Sequence, residues 1–107
     1  MSDPEYRPSE TLTGQWVALH IYRDEKVRRS GVLVLTSERL IWQPGGLGRW
    51  RTSRPWECDL AAIRDIEAFH IDMAEWLVIV DCPDREGFIM AQPDSLLHMV
   101  RQAIGAG

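Results

Sequence analysis

Apolar side chains recur along this chain at two different periods, and the change-over comes once, after residue 91. Before that point they alternate. Val17, Leu19 and Ile21 interleave with Ala18, His20 and Tyr22, the period of two expected of a strand with one face buried. Val32-Leu33-Val34-Leu35-Thr36 is rich in β-branched residues and apolar on both faces, as a central strand should be. Arg39 to Gln43 follows after the tight turn Ser37-Glu38, so a hairpin is expected. Trp56 to Leu60 is a further short strand. Asp65 to Ile71 sets Ile66, Ala68 and His70 against Glu67, Phe69 and Ile71, and Asp72-Met73-Ala74-Glu75 turns the chain into a strongly apolar strand, Trp76 to Asp81. Cys82 to Glu86 reads as a loop around Pro83, and Gly87 to Ala91 as the last strand.

Beyond residue 91 the period becomes helical. Leu96, Leu97, Val100, Ala103 and Ile104 share one face. Pro93 suits a first turn, Asp94 and Ser95 offer negative charge and capping oxygens there, and Gly105 supplies a stop. Strands this short must close around one core with the helix covering an open side. The expected fold is therefore mainly β (α+β), a partly open seven-stranded barrel from Gln15 to Ala91 capped by one C-terminal helix near Asp94 to Ile104. Residues 1–12, with two prolines and no apolar period, read as a tail before a single domain over 13–107. The stretch from Pro44 to Pro55 reads as the one long loop.

The longest apolar runs, Gly31 to Leu35 and Trp76 to Val80, fall far short of the roughly 20 residues a membrane span needs. The polar, acidic start Met1-Ser2-Asp3-Pro4-Glu5 does not read as a secretory signal, so a cytoplasmic location is expected. Cys58 and Cys82 are too few for a disulfide framework and form no C-x-x-C, so the reading is two buried free thiols and no metal. His20, His70 and His98 form no H-x-x-x-H pair, and no nucleophile elbow, Walker loop or dinucleotide fingerprint occurs. The chain reads as non-catalytic and without a cofactor.

Charge is divided unevenly. Residues 23–54 carry a net +5 and residues 55–107 a net −7, within a total of −4. That total argues against a nucleic-acid partner. The basic segment places Arg23, Lys26, Arg28 and Arg29 around the first hairpin, and Arg49, Arg51 and Arg54 in the long loop beside Trp50. Guanidinium forks suit bidentate phosphate contact, and an amphipathic indole suits a membrane interface. The plain alternative is that these arginines are solvated or paired with the acidic half. A second candidate surface comprises Ile71, Asp72, Met73, Glu75 and Trp76, together with the helix side bearing His98, Met99, Arg101 and Gln102. Met and Trp are favoured at binding surfaces, although either can equally pack under a barrel rim.

One stretch carries a family resemblance. Gly31-Val32-Leu33-Val34-Leu35-Thr36-Ser37-Glu38-Arg39-Leu40-Ile41-Trp42 resembles the GRAM and GLUE branch of the pleckstrin-homology superfold, where a glycine-led strand ends in Leu-Thr, turns and continues Arg-Leu-Ile-Trp. Glu10-Thr11-Leu12 and Ile21-Tyr22 through Glu25-Lys26 resemble the start of the GLUE domain of the ESCRT-II vacuolar-sorting subunit, and Leu60, Ile63 and Ile66 its strand after the variable loop. The likeness covers residues 10–70 by spacing and the rest by strand order. It implies a binding module for ubiquitin or a ubiquitin-like protein within a sorting complex, with other ESCRT subunits as partners, and recognition near the helix end and adjacent loops. It also implies, as an alternative, phosphoinositide binding by a peripheral membrane module, since the first-second and third-fourth loops of such a barrel open at one end. A third possibility is a bacterial-type pleckstrin-like domain that self-assembles through strand edges.

Overall fold

A computed structural model describes residues 7–21, 28–45 and 55–106. Its strands are β1 (Leu12–Ile21), β2 (Arg28–Thr36), β3 (Arg39–Pro44), β4 (Trp56–Asp59), β5 (Asp65–Asp72), β6 (Glu75–Cys82) and β7 (Asp84–Met90), followed by the helix α1 (Asp94–Ala106). A 3-10 turn, Leu60–Ala62, joins β4 to β5. All seven strands form one antiparallel sheet in the order β4-β3-β2-β1-β7-β6-β5. The strand count, the order of elements and the terminal helix agree with the expected mainly β architecture.

The sheet curls so that its inward positions meet. Trp16, Ala18 and His20 of β1, Leu33 and Leu35 of β2, Leu40 and Trp42 of β3, and Val78 and Val80 of β6 point to one interior, joined by Ile66 and Phe88. Trp42 is wholly buried and its indole N–H donates to the Ala18 carbonyl at 3.1 Å. That indole dictates the glycine leading β2. A Cβ at Gly31 would lie 2.2 Å from the Gln43 carbonyl oxygen and 2.6 Å from the Trp42 ring, so only glycine permits this approach. The His20 ring lies 4.8 Å from both Trp42 and Phe88, with its Nε2 3.0 Å from Glu86 Oε2.

Helix α1 buries Leu96 and Val100 completely, with Leu97, Ala103 and Ile104 packed at the margin. Its first turn is tied to β1 by the Trp16 indole N–H donating to Ser95 Oγ at 2.9 Å. Arg101, placed by its sequence position on the solvent side, donates from Nη2 to the Ile66 carbonyl at 2.9 Å and straps the helix to β5.

Three expectations change. Residues 7–11 are pinned rather than forming a tail. Arg7 bonds Glu38 and Asp59, Ser9 donates to Glu38, the Thr11 N–H donates to Ser37 Oγ, and Glu10 is buried against Arg39. Polar pairing anchors this segment, which is why it shows no apolar period. Cys58 and Cys82 are not free thiols but a disulfide. β4 is one end strand and β6 neighbours the other, so sheet curvature brings these distant residues to a Cα separation of 6.4 Å. Finally, β7 starts at Asp84. Pro83 alone makes the turn, and Asp84, Arg85 and Glu86 pair with Cys82, Asp81 and Val80 despite their polarity.

Candidate protein-binding site

The hairpin of β5 and β6 turns through Met73 and Ala74, with Asp72 paired to Glu75. Asp72 fixes the turn locally, its Oδ1 accepting the Met73 N–H at 2.7 Å. Between His70 and Asp72 the register slips, so Ile71 is the extra residue of a bulge. Bulges re-aim side chains. Here the result is an apolar group outside the core: Phe69 is 47%, Ile71 46% and Met73 94% exposed. Asp72 and Glu75 flank the tip, and Glu67 lies on the same strand face as Phe69.

The remaining residues of the candidate surface separate. Trp76 is half-buried and turns to the opposite side of the hairpin, its ring 4.8 Å from that of His70. Met99 packs against the core from the helix and contributes no exposed apolar centre. His98 and Gln102 are exposed and, with Asp94, Leu97 and Arg101, line an open hollow of ≈ 380 Å³ on the helix. The bond from Arg101 reaches Ile66, six residues along β5 from Asp72, which is about 20 Å of strand. The hairpin tip and the helix hollow are thus two places rather than one. Sequence reasoning left out Phe69, although the alternation it identified already put Phe69 on the face of Ile71.

Of the basic candidates, Arg23, Lys26, Arg49, Trp50, Arg51 and Arg54 lie outside the described residues. Arg28 opens β2, and Arg29 is half-buried within it, opposite His20 in the register. No helix among the described residues is long and apolar enough to cross a membrane.

A buried ionic cluster lies on the outward side of β3. The Arg39 guanidinium gives Nε to Glu10 Oε2 at 2.7 Å and Nη2 to Glu10 Oε1 at 2.9 Å, and also bonds Glu57. Thr36 donates its hydroxyl to Glu10 at 2.5 Å and accepts the N–H groups of Glu38 and Arg39. The bonds from Arg39 outweigh burial and hold the Glu10 carboxyl at about 2, while Glu10 in turn raises the Arg39 value above its ordinary range. Both Glu10 oxygens are satisfied within the protein, so the cluster is structural. It gives a physical reason for the Leu-Thr-x-x-Arg run: the threonine closes the turn, and the arginine anchors Glu10.

No protein-family model matches this chain, and no curated protein matches it. Solved structures do. The Vps36 N-terminal PH domain superposes with a TM-score of 0.73 at 13% identity, over 96% of this chain and 85% of that one. The C-terminal domain of an unknown protein from Leishmania infantum gives 0.64 at 16% identity, over 89% and 84%. The linker-DH/PH domains of p115-RhoGEF give 0.65 at 12% identity, over 92% of this chain and 30% of that one. With the seven-stranded sheet and its closing helix, these likenesses show that the chain has the pleckstrin-homology fold, resembling the Vps36 N-terminal PH domain.

Proposed function

We propose that this domain is a non-catalytic binding module that docks ubiquitin or a ubiquitin-like protein on its β5–β6 hairpin. The observation that carries this reading is the exposure of Met73, Ile71 and Phe69 together beside Asp72 and Glu75. An apolar centre with an acidic rim complements a partner whose small apolar patch is ringed by basic residues. The resemblance to the GLUE branch, whose members bind ubiquitin in a sorting complex, supports the same partner. A small, exposed contact of this kind is weak and transient, with an affinity in the micromolar range, about −7 to −8 kcal/mol. Titrating isotope-labelled ubiquitin with the domain tests it, with Met73→Asp as the disabling variant.

The +5 charge of residues 23–54 favours a second reading, peripheral attachment to anionic or phosphoinositide-bearing membrane through Arg49, Trp50, Arg51 and Arg54. Co-sedimentation with anionic vesicles tests this. Replacing the three arginines with serine should abolish binding, and salt above about 0.1 M should weaken it.

A further inference from the structure

Strand β1 is ten residues long, yet β7 pairs with only its last three, Leu19, His20 and Ile21. After Met90 the chain leaves the sheet for α1, so among the described residues the first half of β1 has β2 on one side and no strand on the other. Hydrogen-bond parity says which groups face that open side. The Ser30 carbonyl accepts the Gly45 N–H at 3.0 Å, which turns Ser30 toward β3. Successive residues of an inner antiparallel strand face opposite neighbours, so Gly31, Leu33 and Leu35 face β1, where they meet Ala18, Trp16 and Gly14. Gln15 and Val17, lying between these, turn their N–H and C=O groups away from β2. Both residues are exposed, Val17 at 75%. A bulge between Leu12 and Gly14 bounds this edge at one end and β7 bounds it at the other, leaving Gly14 to Ala18, five residues or about 17 Å of strand.

We propose that this edge accepts an extended, uncharged segment of a partner protein as an added antiparallel strand, in line with β7. Unpaired main-chain groups in strand geometry call for another extended backbone, since only that presents donors and acceptors at the same spacing. In antiparallel addition Gln15 and Val17 each exchange both bonds with the residue directly opposite. Edge strands are ordinarily guarded by charge or proline. The two end strands follow that rule, β4 with Glu57 and Asp59, and β5 with Asp65, Glu67 and Asp72. Thr11 to Leu19 carries neither a charged side chain nor a proline, so nothing along it repels an approaching uncharged chain. Val17 on the outward face adds an apolar contact, which favours a β-branched residue opposite it. A second copy of this chain fits less well. Pairing two β1 edges about Trp16 would drive Thr13 of the copy onto Leu19, where β7 already lies, and five residues a side fall short of the about 20–30 of a stable interface. An anionic membrane finds no cation on the segment.

The test uses the full chain, labelled for amide NMR, and a capped peptide of about eight residues that alternates valine and threonine. N-methylation of every threonine leaves one edge of the peptide with its donors and stops it stacking on itself. Saturable shifts centred on Gln15 and Val17 are expected, with slower hydrogen exchange at those two amides. A fully N-methylated peptide should cause neither. Gln15→Pro deletes a donor at the open edge, where proline is tolerated, and should weaken binding about tenfold or more. Val17→Lys keeps every sheet bond and sits at an exposed position, so it should leave the melting temperature unchanged while weakening the peptide about fivefold, and it decides the matter if the proline variant does not fold. Met73→Asp, which disables the proposed ubiquitin site, should leave the peptide bound, and Val17→Lys should leave ubiquitin binding intact, so the two sites stand or fall separately. Equal binding of the fully methylated peptide, shifts confined to β4, β5 or the hairpin tip, self-association through this edge without peptide, or indifference to Val17→Lys would each overturn the proposal.

Discussion

The Glu10 carboxylate is clamped by the Arg39 guanidinium through two parallel bonds of 2.7 and 2.9 Å, which fastens the chain ahead of β1 to the first residue of β3. A carboxylate held this way is a pH-dependent brace. Its value in the folded protein is about 2 against an ordinary 4.5, so its contribution is fully present above about pH 4.5 and is lost as pH falls toward 2. Acid titration of thermal stability should show this loss, and Glu10→Gln should flatten the curve between those values. Removing one partner strands the other charge, so Glu10→Ala should destabilise by about 3–5 kcal/mol in chemical denaturation.

The helix depends on two wholly buried side chains. Leu96→Ala should cost about 2–5 kcal/mol, and Leu97→Ala, from a half-buried position, less. Arg101→Ala removes a bond to the Ile66 carbonyl and should cost about 1 kcal/mol, where a purely solvated arginine would cost nothing. Urea midpoints of the three variants should fall in that order.

The Cys58–Cys82 bridge spans 24 residues of sequence and ties β4 to the last residue of β6. Closing a loop of about that length stabilises by about 3 kcal/mol in the chain-entropy view. Intact-mass measurement before and after reduction should differ by two hydrogens, and dithiothreitol should lower the melting temperature. An unchanged mass would contradict the bridge.

Local patterns made the architecture legible. Period-two alternation marked β1 and β5, an unbroken apolar run marked β6, and the shift to helical spacing after residue 91 marked α1. What escaped depended on contacts between distant residues. Nothing near Glu10 announces that Arg39 will meet it, and nothing between Cys58 and Cys82 reveals that the sheet folds one edge over the other. Asp84 to Glu86 looked like loop because their polar side chains hide a ladder that runs through the backbone. At the candidate site, Met73 and Ile71 could be named from the turn, whereas the inward packing of Met99 and the turning away of Trp76 follow from three-dimensional packing.

The apolar hairpin tip as a ubiquitin-binding site is the central claim, and amide NMR of labelled ubiquitin titrated with the domain tests it most directly. Progressive fast-exchange shifts at the apolar patch of ubiquitin are expected, weakened about tenfold or more by Met73→Asp, which replaces an exposed contact with a charge that must be desolvated. Unmoved ubiquitin resonances at millimolar domain, or binding that survives Met73→Asp at full strength, would contradict it.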